Sequence, residues 1–289
     1  NEVLRQSEQS GILYNATMIR QMITHDDITQ LPKIRFSGFS DIRQMPGAEL
    51  IEALADSYHH VGLDDTIVVT RSNKRANIFN QGIRNMVLDR EEELSQGDIL
   101  MIVKNNYYWM EEERKKIKEK DNQVPSNDIP AFLANGDRAK VLKVRRRIDL
   151  YGFRFATLLL QFPDYGNYEL EATVLLDTLT SEAPALTHEQ QEQLFHQIEE
   201  DYQDVPLKAD RMKAIRQDQF YNALQVKFAY AVTCHKAQGG QWAHVYVDQG
   251  YMTDDMLTPD YIHWLYTAFT RATEMLYLVN WPETQIETS

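Results

Sequence analysis

The sequence predicts an α/β protein, a doubly wound parallel sheet interrupted by a small antiparallel β unit. Three observations carry this. Thr66–Thr70 (TIVVT) is a continuous β-branched run, as a strand covered on both faces of a parallel sheet requires. Helical and strand patterns alternate over residues 1–95 and again over 226–289. Between them, from Gly97 to Thr178, short strand patterns and turn signals follow one another.

The elements follow in order. Ile12, Ala16, Ile19 and Ile23 recur at spacings of three and four, so Gly11 to Thr24 reads as a helix. Ile34 to Ser37, behind Pro32, is a short strand candidate. Pro46 stands where proline favours a helix start, opening a helix to about His60 with Leu50, Ala53, Leu54 and Ser57 on one face. After Thr66–Thr70, Ser72 can cap a helix from Asn73 to about Leu88. The β unit offers strands at Ile99–Lys104, Ala139–Arg145, Phe153–Gln161 and Glu169–Leu176. Asn-Gly-Asp at 135–137 and Tyr-Gly-Asn at 165–167 read as turns. Glu111 to Gln123 is a charged loop or a short exposed helix, and Thr187 caps an amphipathic helix to about Tyr202.

Alternation resumes near Val226, with strands over Phe228–Thr233 and His244–Val247. Thr258 and Pro259 start a helix to about Ala272, and Met275–Val279 is a final strand. The expected division is residues 1–95 with 226–289 for the α/β part, and 96–225 for the inserted β unit with its trailing helix.

Composition narrows the class. With 43% hydrophobic and 25% charged residues in 289, a packed core is possible and wholesale disorder is excluded. The single cysteine, Cys234, excludes an intrachain disulfide framework and a four-cysteine zinc site, and fits a reducing, cytoplasmic setting. No apolar run approaches the ~18 residues of a membrane span. A net charge of −13 speaks against a nucleic-acid-coating protein, but not against an enzyme with a local basic track. The chain starts at Asn1 without a signal-peptide pattern and reads as a piece of a longer protein.

Two stretches carry candidate chemistry. In Ala231–Trp242 (AVTCHKAQGGQW) a strand ends at Thr233, and a polar loop with His235, Lys236 and Gln238 runs into Gly239-Gly240. Paired glycines permit positive φ and close backbone approach to phosphate or sugar. Thr, His, Lys and Gln donate well to phosphodiester oxygens. A solvated hairpin loop is the alternative. In Tyr266–Ala272 (YTAFTRA), helical spacing places Thr267, Thr270 and Arg271 on a face away from the apolar stripe Ile262, Leu265, Tyr266 and Phe269. Arg271 is then either a surface ion-pair partner or a catalytic clamp.

A basic cluster, Lys140, Lys143, Arg145, Arg146 and Arg147, precedes Tyr151, Phe153 and Phe155. It suits either a single strand, with stacked bases and paired phosphates, or a charge-protected sheet edge. Cys234 and His235 would be neighbours on an extended strand, pointing to opposite faces, and so cannot act as nucleophile and base. The histidines, His59 and His60 included, lack partners at metal-ligand spacing, so no metal site is expected in this chain.

The two stretches together resemble motifs V and VI of superfamily 1 helicases, most closely the RecD-like branch related to the exodeoxyribonuclease V α chain. VLRQSEQSGILYNA (3–16) resembles that family's arginine-bearing motif, and TRSN (70–73) its strand-end motif that contacts single-stranded DNA. The four occur in the family's order. The resemblance implies a RecA-like fold, specifically the second of two motor domains, with an SH3-like insertion and 5′ to 3′ translocation. It also implies that Arg5 meets the γ-phosphate and that Arg271 is the arginine finger. Gly239, Gly240 and Gln241 would line the nucleotide, although the family usually carries Glu where this chain has Gln241. Arg71, Asn73, Thr233 and His235 would face single-stranded DNA, with Lys236 supporting phosphate contact; the basic cluster, read from its own residues, would add Arg145, Arg146 and Arg147 as DNA contacts.

No glycine in the sequence is followed by lysine, so the phosphate loop GxxxxGK[ST] is lacking. ATP and Mg²⁺ would be held mainly by a first motor domain outside this chain, and the chain alone would be inactive. A second reading remains: a nucleotide-independent nucleic-acid-binding or protein-interaction module on a degenerate RecA-like fold. Intact Arg5 and Arg271 favour the helicase.

Overall fold

The computed structural model describes residues 10–120 and 129–288. Helix α1 (Gly11–Thr24) starts at Ser10, whose side chain accepts from the Leu13 amide. Asp41 accepts from the Gly11 amide and the Ser10 hydroxyl, each at 2.7 Å. A carboxylate there satisfies orphan N–H groups and faces the positive end of the helix dipole. Gly11 is demanded by packing, because a Cβ would stand 2.4 Å from Ile42 Cγ2. Strand β1 is Ile42–Met45, not the expected Ile34–Ser37. There, Ile34 forms an isolated bridge to Ile286. The Arg35 amide and carbonyl are both taken at 2.9 Å by the Asn15 side chain, so no ladder continues.

Pro46 precedes a short 3-10 turn (Gly47–Glu49) that leads into α2 (Leu50–His60). Strand β2 (Thr66–Thr70) is buried along its whole length. Ser72 caps α3 (Asn73–Gly82), which widens into a π turn at Ile83–Val87.

The chain forms two units, Asn1–Arg90 with Tyr230–Ser289, and Glu91–Ala229. In the second, the elements are β3 (Ile99–Ile102), α4 (Tyr108–Glu119), β4 (Arg138–Leu150), β5 (Phe153–Phe162), β6 (Tyr168–Leu175), α5 (His188–Asp201), α6 (Lys208–Arg216) and β7 (Leu224–Phe228). The five strands close into a barrel in the order β3-β4-β5-β6-β7. The unit is not wholly antiparallel: β6 and β7 pair in parallel, because α5 and α6 carry the chain back to the other end. Strand β4 runs five residues past the expected Arg145, with bulges between Val141 and Lys143 and between Val144 and Arg146. Its hairpin to β5 turns at Tyr151-Gly152, both at positive φ. The charged 111–123 segment contributes to α4, with i,i+3 pairs Glu112–Lys115 and Glu113–Lys116; residues 121–123 lie outside the described part.

Back in the first unit come β8 (Ala231–Thr233), α7 (Cys234–Ala237), β9 (Trp242–Val247), α8 (Pro259–Phe269) and β10 (Ala272–Val279). The single strand expected over Phe228–Thr233 is thus two strands in different sheets. The Ala229 amide donates to Ile99 of the barrel, while the Tyr230 carbonyl accepts from Val68. The sheet order is β1-β10-β9-β2-β8, all parallel, with β2 between β8 and β9. On one face α2 sets Ser57 Oγ 2.8 Å from His244 Nδ1 and 2.7 Å from the Tyr246 hydroxyl. Val245 and Val247 alternate to the other face of the strand. Edge strand β8 is tied to α3 by Asn80, which accepts from the Ala231 amide at 2.7 Å and donates to its carbonyl at 2.9 Å.

Candidate nucleotide and DNA interface

Strands β2 and β8 end side by side, with Thr70 opposite Thr233, so the residues that follow gather at the carboxyl edge of the sheet. Open parallel sheets usually take ligands there. Arg71 is exposed, with its guanidinium 5.4 Å from the Tyr261 ring centroid and 5.9 Å from that of Trp264 on α8. Its Nη1 is 3.2 Å from Met252 Sδ. Flat contacts on two rings hold the charge in place without neutralising it. Asn73 occupies the first turn of α3.

Thr233 is half-exposed, and its hydroxyl is used internally, accepting from the Lys236 amide as the cap of α7. His235 is exposed, and burial lowers the Lys236 ammonium below its ordinary range. The expectation that Cys234 and His235 lie on an extended strand fails, because the Thr233 cap turns the chain into a helix at once. Cys234 is buried with Sγ 3.6 Å from the Trp264 carbonyl, and burial pushes the thiol up to about 11.

The sequence reading missed a buried-carboxylate ion pair at this edge. Arg75 on α3 grips Asp248, the residue after β9, through two 3.0 Å contacts. The Asp248 side chain is only 3% exposed. The hydrogen bond to Asp248 raises the Arg75 guanidinium further above its already high range. A polar residue ending an apolar strand was the one available signal; its partner is 173 positions away.

The second group lies at the opposite edge. Trp242 pairs with Ala272 at the amino ends of β9 and β10, so Gly239–Gln241 and Arg271 meet there. Gly239 has φ +81°, and a Cβ on Gly240 would stand 2.5 Å from the Trp242 ring. Gln241 is exposed. Arg271 does not lie on a helical face with Thr267 and Thr270, because α8 ends at Phe269 and Thr270 is its C-cap. Its guanidinium instead folds back. Nε donates to the Thr267 carbonyl at 3.0 Å, Nη1 to the Gly240 carbonyl at 2.8 Å, and Nη2 to the Thr270 hydroxyl at 3.1 Å. All three acceptors are neutral, and Arg271 has no carboxylate partner among the described residues. Its positive charge is positioned and uncompensated. Residues 234–241 thus connect the two edges, leaving β8 beside Thr70 and entering β9 beside Ala272.

Arg5 lies outside the described residues. In the barrel, Arg145 Nε is 2.7 Å from Glu171, Arg147 donates to the Leu94 carbonyl at 2.8 Å, and Arg146 is exposed. The adjoining aromatics are not a stacking surface. Phe153 and Phe155 are buried in a core with Leu194, Ile198 and Ile215, and Tyr151 packs against it. Period-two alternation turns those rings inward once α5 and α6 cover that face. Among the described residues, no group of three or more His, Cys, Asp or Glu could hold a metal ion, and no helix is long and apolar enough to cross a membrane.

The all-parallel sheet with its helices is a RecA-like α/β fold, and a β barrel is inserted into its chain. Residues 228–279 match the UvrD-like helicase C-terminal domain. That segment holds both Thr233–Gln241 and Arg271. A solved structure, the Pif1 helicase from Candida albicans, aligns with 78% of this chain at 13% identity and a TM-score of 0.38. The present chain covers 47% of that chain, about half its length. No curated protein matches.

Proposed function

We propose that this chain is the second motor half of an ATP-dependent superfamily 1 DNA helicase of the RecD-like branch, translocating 5′ to 3′ on single-stranded DNA. The barrel is then its SH3-like insertion. The carrying observation is Arg271, a guanidinium held by three neutral acceptors with no carboxylate partner among the described residues. A surface ion-pair role is not supported, because no acid among the described residues meets it. A charge kept ready at a domain edge suits transfer of a phosphoryl group bound across a cleft. Such an arginine contributes on the order of 10³–10⁵ in rate.

In this reading a first motor domain supplies the phosphate loop and the Mg²⁺ site. Arg5 meets the γ-phosphate, and Gly239, Gly240 and Gln241 border the nucleotide. Gln241 is uncharged where a metal- or ribose-linked role would use a carboxylate, so its part is a hydrogen bond to ATP. Arg71, Asn73, His235 and Lys236 hold the DNA backbone at the other edge, with Thr233 shaping the turn that presents them. Backbone contacts suit a motor that must pass any sequence. The 234–241 segment reaches both edges, so a shift on one side is felt on the other.

The test is steady-state ATP hydrolysis. The chain alone should show no turnover with or without single-stranded DNA, and the parent protein should show DNA-stimulated turnover. DNA-stimulated hydrolysis by the chain alone, lost in Arg271→Ala, would refute the half-motor reading.

A further inference from the structure

The barrel unit holds a cleft that none of the sequence motifs uses. It has a volume of about 190 Å³ and is bounded by Lys104, Asn105, Tyr107, Tyr108, Gln191 and Tyr221, all within residues 91–229. Its chemistry is narrow. Tyrosine rings, carboxamides and one lysine make up the lining, Ala223 is the aliphatic contribution, and no carboxylate is among the described lining residues. The volume is below the roughly 300–1,000 Å³ of sites for drug-sized ligands, so it suits a single ring system.

The lining is already fixed. Tyr107 is 53% exposed although one face of its ring stacks on Phe132 at 4.7 Å and 24°, which leaves the other face available. Gln191 Oε1 accepts from Gln225 Nε2 at 3.3 Å and from Lys104 Nζ at 3.5 Å, and Gln225 is itself held by the Leu186 amide at 2.9 Å. The Gln191 Nε2 donors are therefore uncommitted among the described residues. Asn105 Oδ1 accepts from the Asn135 amide at 2.7 Å, which likewise leaves its Nδ2. The floor is tied down by the Asn222 carbonyl, which accepts from Asn106 Nδ2 and Trp109 Nε1, both at 2.9 Å.

A half-open aromatic ring flanked by oriented amide donors matches an unpaired base, which stacks by its face and is read along its edge. Lysine beside it suits the adjoining phosphate, and the lining carries no carboxylate to repel it. Apolar ligands find too little aliphatic surface, and cations find no anionic ligand.

We propose that this cleft receives one unpaired nucleobase of a single strand. The base stacks on Tyr107, the Gln191 and Asn105 amides donate to its edge, and Lys104 meets the neighbouring phosphate. Two amide donors whose oxygens are already engaged can meet both ring carbonyls of thymine, whereas adenine offers ring-nitrogen acceptors beside an amino donor, so thymine is preferred to adenine. This rests on the reading that the chain acts on single-stranded DNA.

The experiment is fluorescence anisotropy of the full chain with labelled oligo-dT, oligo-dA and an abasic oligonucleotide of equal length, at one salt concentration. Oligo-dT should bind about fivefold or more tighter than the abasic strand, the low end of what one base–aromatic stack contributes. Tyr107→Ala should remove most of that difference, and Tyr107→Phe should keep it. Gln191→Ala should shrink the dT-over-dA preference. Equal wild-type affinity for oligo-dT and the abasic strand overturns the proposal. So does a base dependence untouched by Tyr107→Ala and Gln191→Ala, and if Arg71→Ala then weakens all three probes, the single-strand reading survives without the cleft. No binding of any probe by the wild type overturns both. Should Tyr107→Ala fail to fold by far-UV circular dichroism, Tyr107→Phe and Gln191→Ala still decide.

Discussion

Replacing Arg271 by alanine tests whether its guanidinium is a latch, a catalytic group, or both. In the structure it makes three hydrogen bonds to neutral acceptors, one of them joining α8's end to the Gly240 carbonyl. Hydrogen bonds of this kind contribute about 1 kcal/mol each, and half-exposed acceptors are rehydrated when the donor leaves, so a loss of roughly 1–2 kcal/mol is expected. In a unit of this size that lowers Tm by roughly 2–8 °C. Catalysis should respond on another scale. In the parent protein, loss of a charge acting on the phosphoryl transition state cuts kcat by on the order of 10³-fold or more, while the KM for ATP changes little. Differential scanning fluorimetry and DNA-stimulated ATPase kinetics measure the two effects on one sample. Arg271→Lys restores charge without the fork and should recover little of either. A normal kcat with a lowered Tm would leave Arg271 as a latch alone, and equal losses in affinity and rate would make it a ground-state contact.

The other outcomes follow from specific contacts. Arg75→Met strands the buried Asp248 carboxylate and should cost roughly 2–4 kcal/mol by urea unfolding, whereas pairing it with Asp248→Leu should recover much of that. If the single substitution is neutral, the pair does not hold α3 to β9. Gly240→Ala forces a Cβ against the Trp242 ring and should destabilise by roughly 1–3 kcal/mol; an unchanged melting curve would show that the loop yields. Burial lowers the His244 imidazole below its ordinary range, against an opposing pull from Glu274 and Asp65 and a reinforcing push from His60. The unfolded chain then binds the extra proton more readily, so His244's contribution is present above the unfolded pKa of about 6.5 and is lost as pH falls below it through the lower folded-state pKa. Melting from pH 8 to 5 should show a smaller acid-side loss in His244→Gln, and identical slopes would count against it. Oligo-dT should bind the chain at micromolar or weaker affinity. Arg71→Ala and His235→Ala should each weaken it, and a lost phosphate contact should flatten the log–log salt dependence by roughly 0.7. Unchanged affinity and slope would place the DNA elsewhere.

Sequence alone was sufficient where a feature is local. Thr66–Thr70 announces a doubly covered strand, and Ser72, Thr187 and Thr258 each cap the helix that follows them, because capping and periodicity act over three or four residues. The stretches containing Gly239-Gly240 and Arg271 were legible as candidate chemistry for the same reason, since residue type and short spacing carry the signal. What was not legible depends on residues far apart. Asn15 diverts the Arg35 backbone and removes an expected strand, and β7 leaves the α/β sheet to close the barrel. Aromatics beside the β4 basic run turn inward only because α5 and α6 cover them. Arg271 moved from a presumed helical face to the Gly240 carbonyl because the helix stops two residues earlier. The parallel register then set Thr233 and Gly240 at opposite edges of one sheet, and set Arg75 on Asp248. Local dihedral preference fixes where a helix or strand begins, but which edge, face or charge it meets follows from chain closure and burial over the whole fold, which no short window contains.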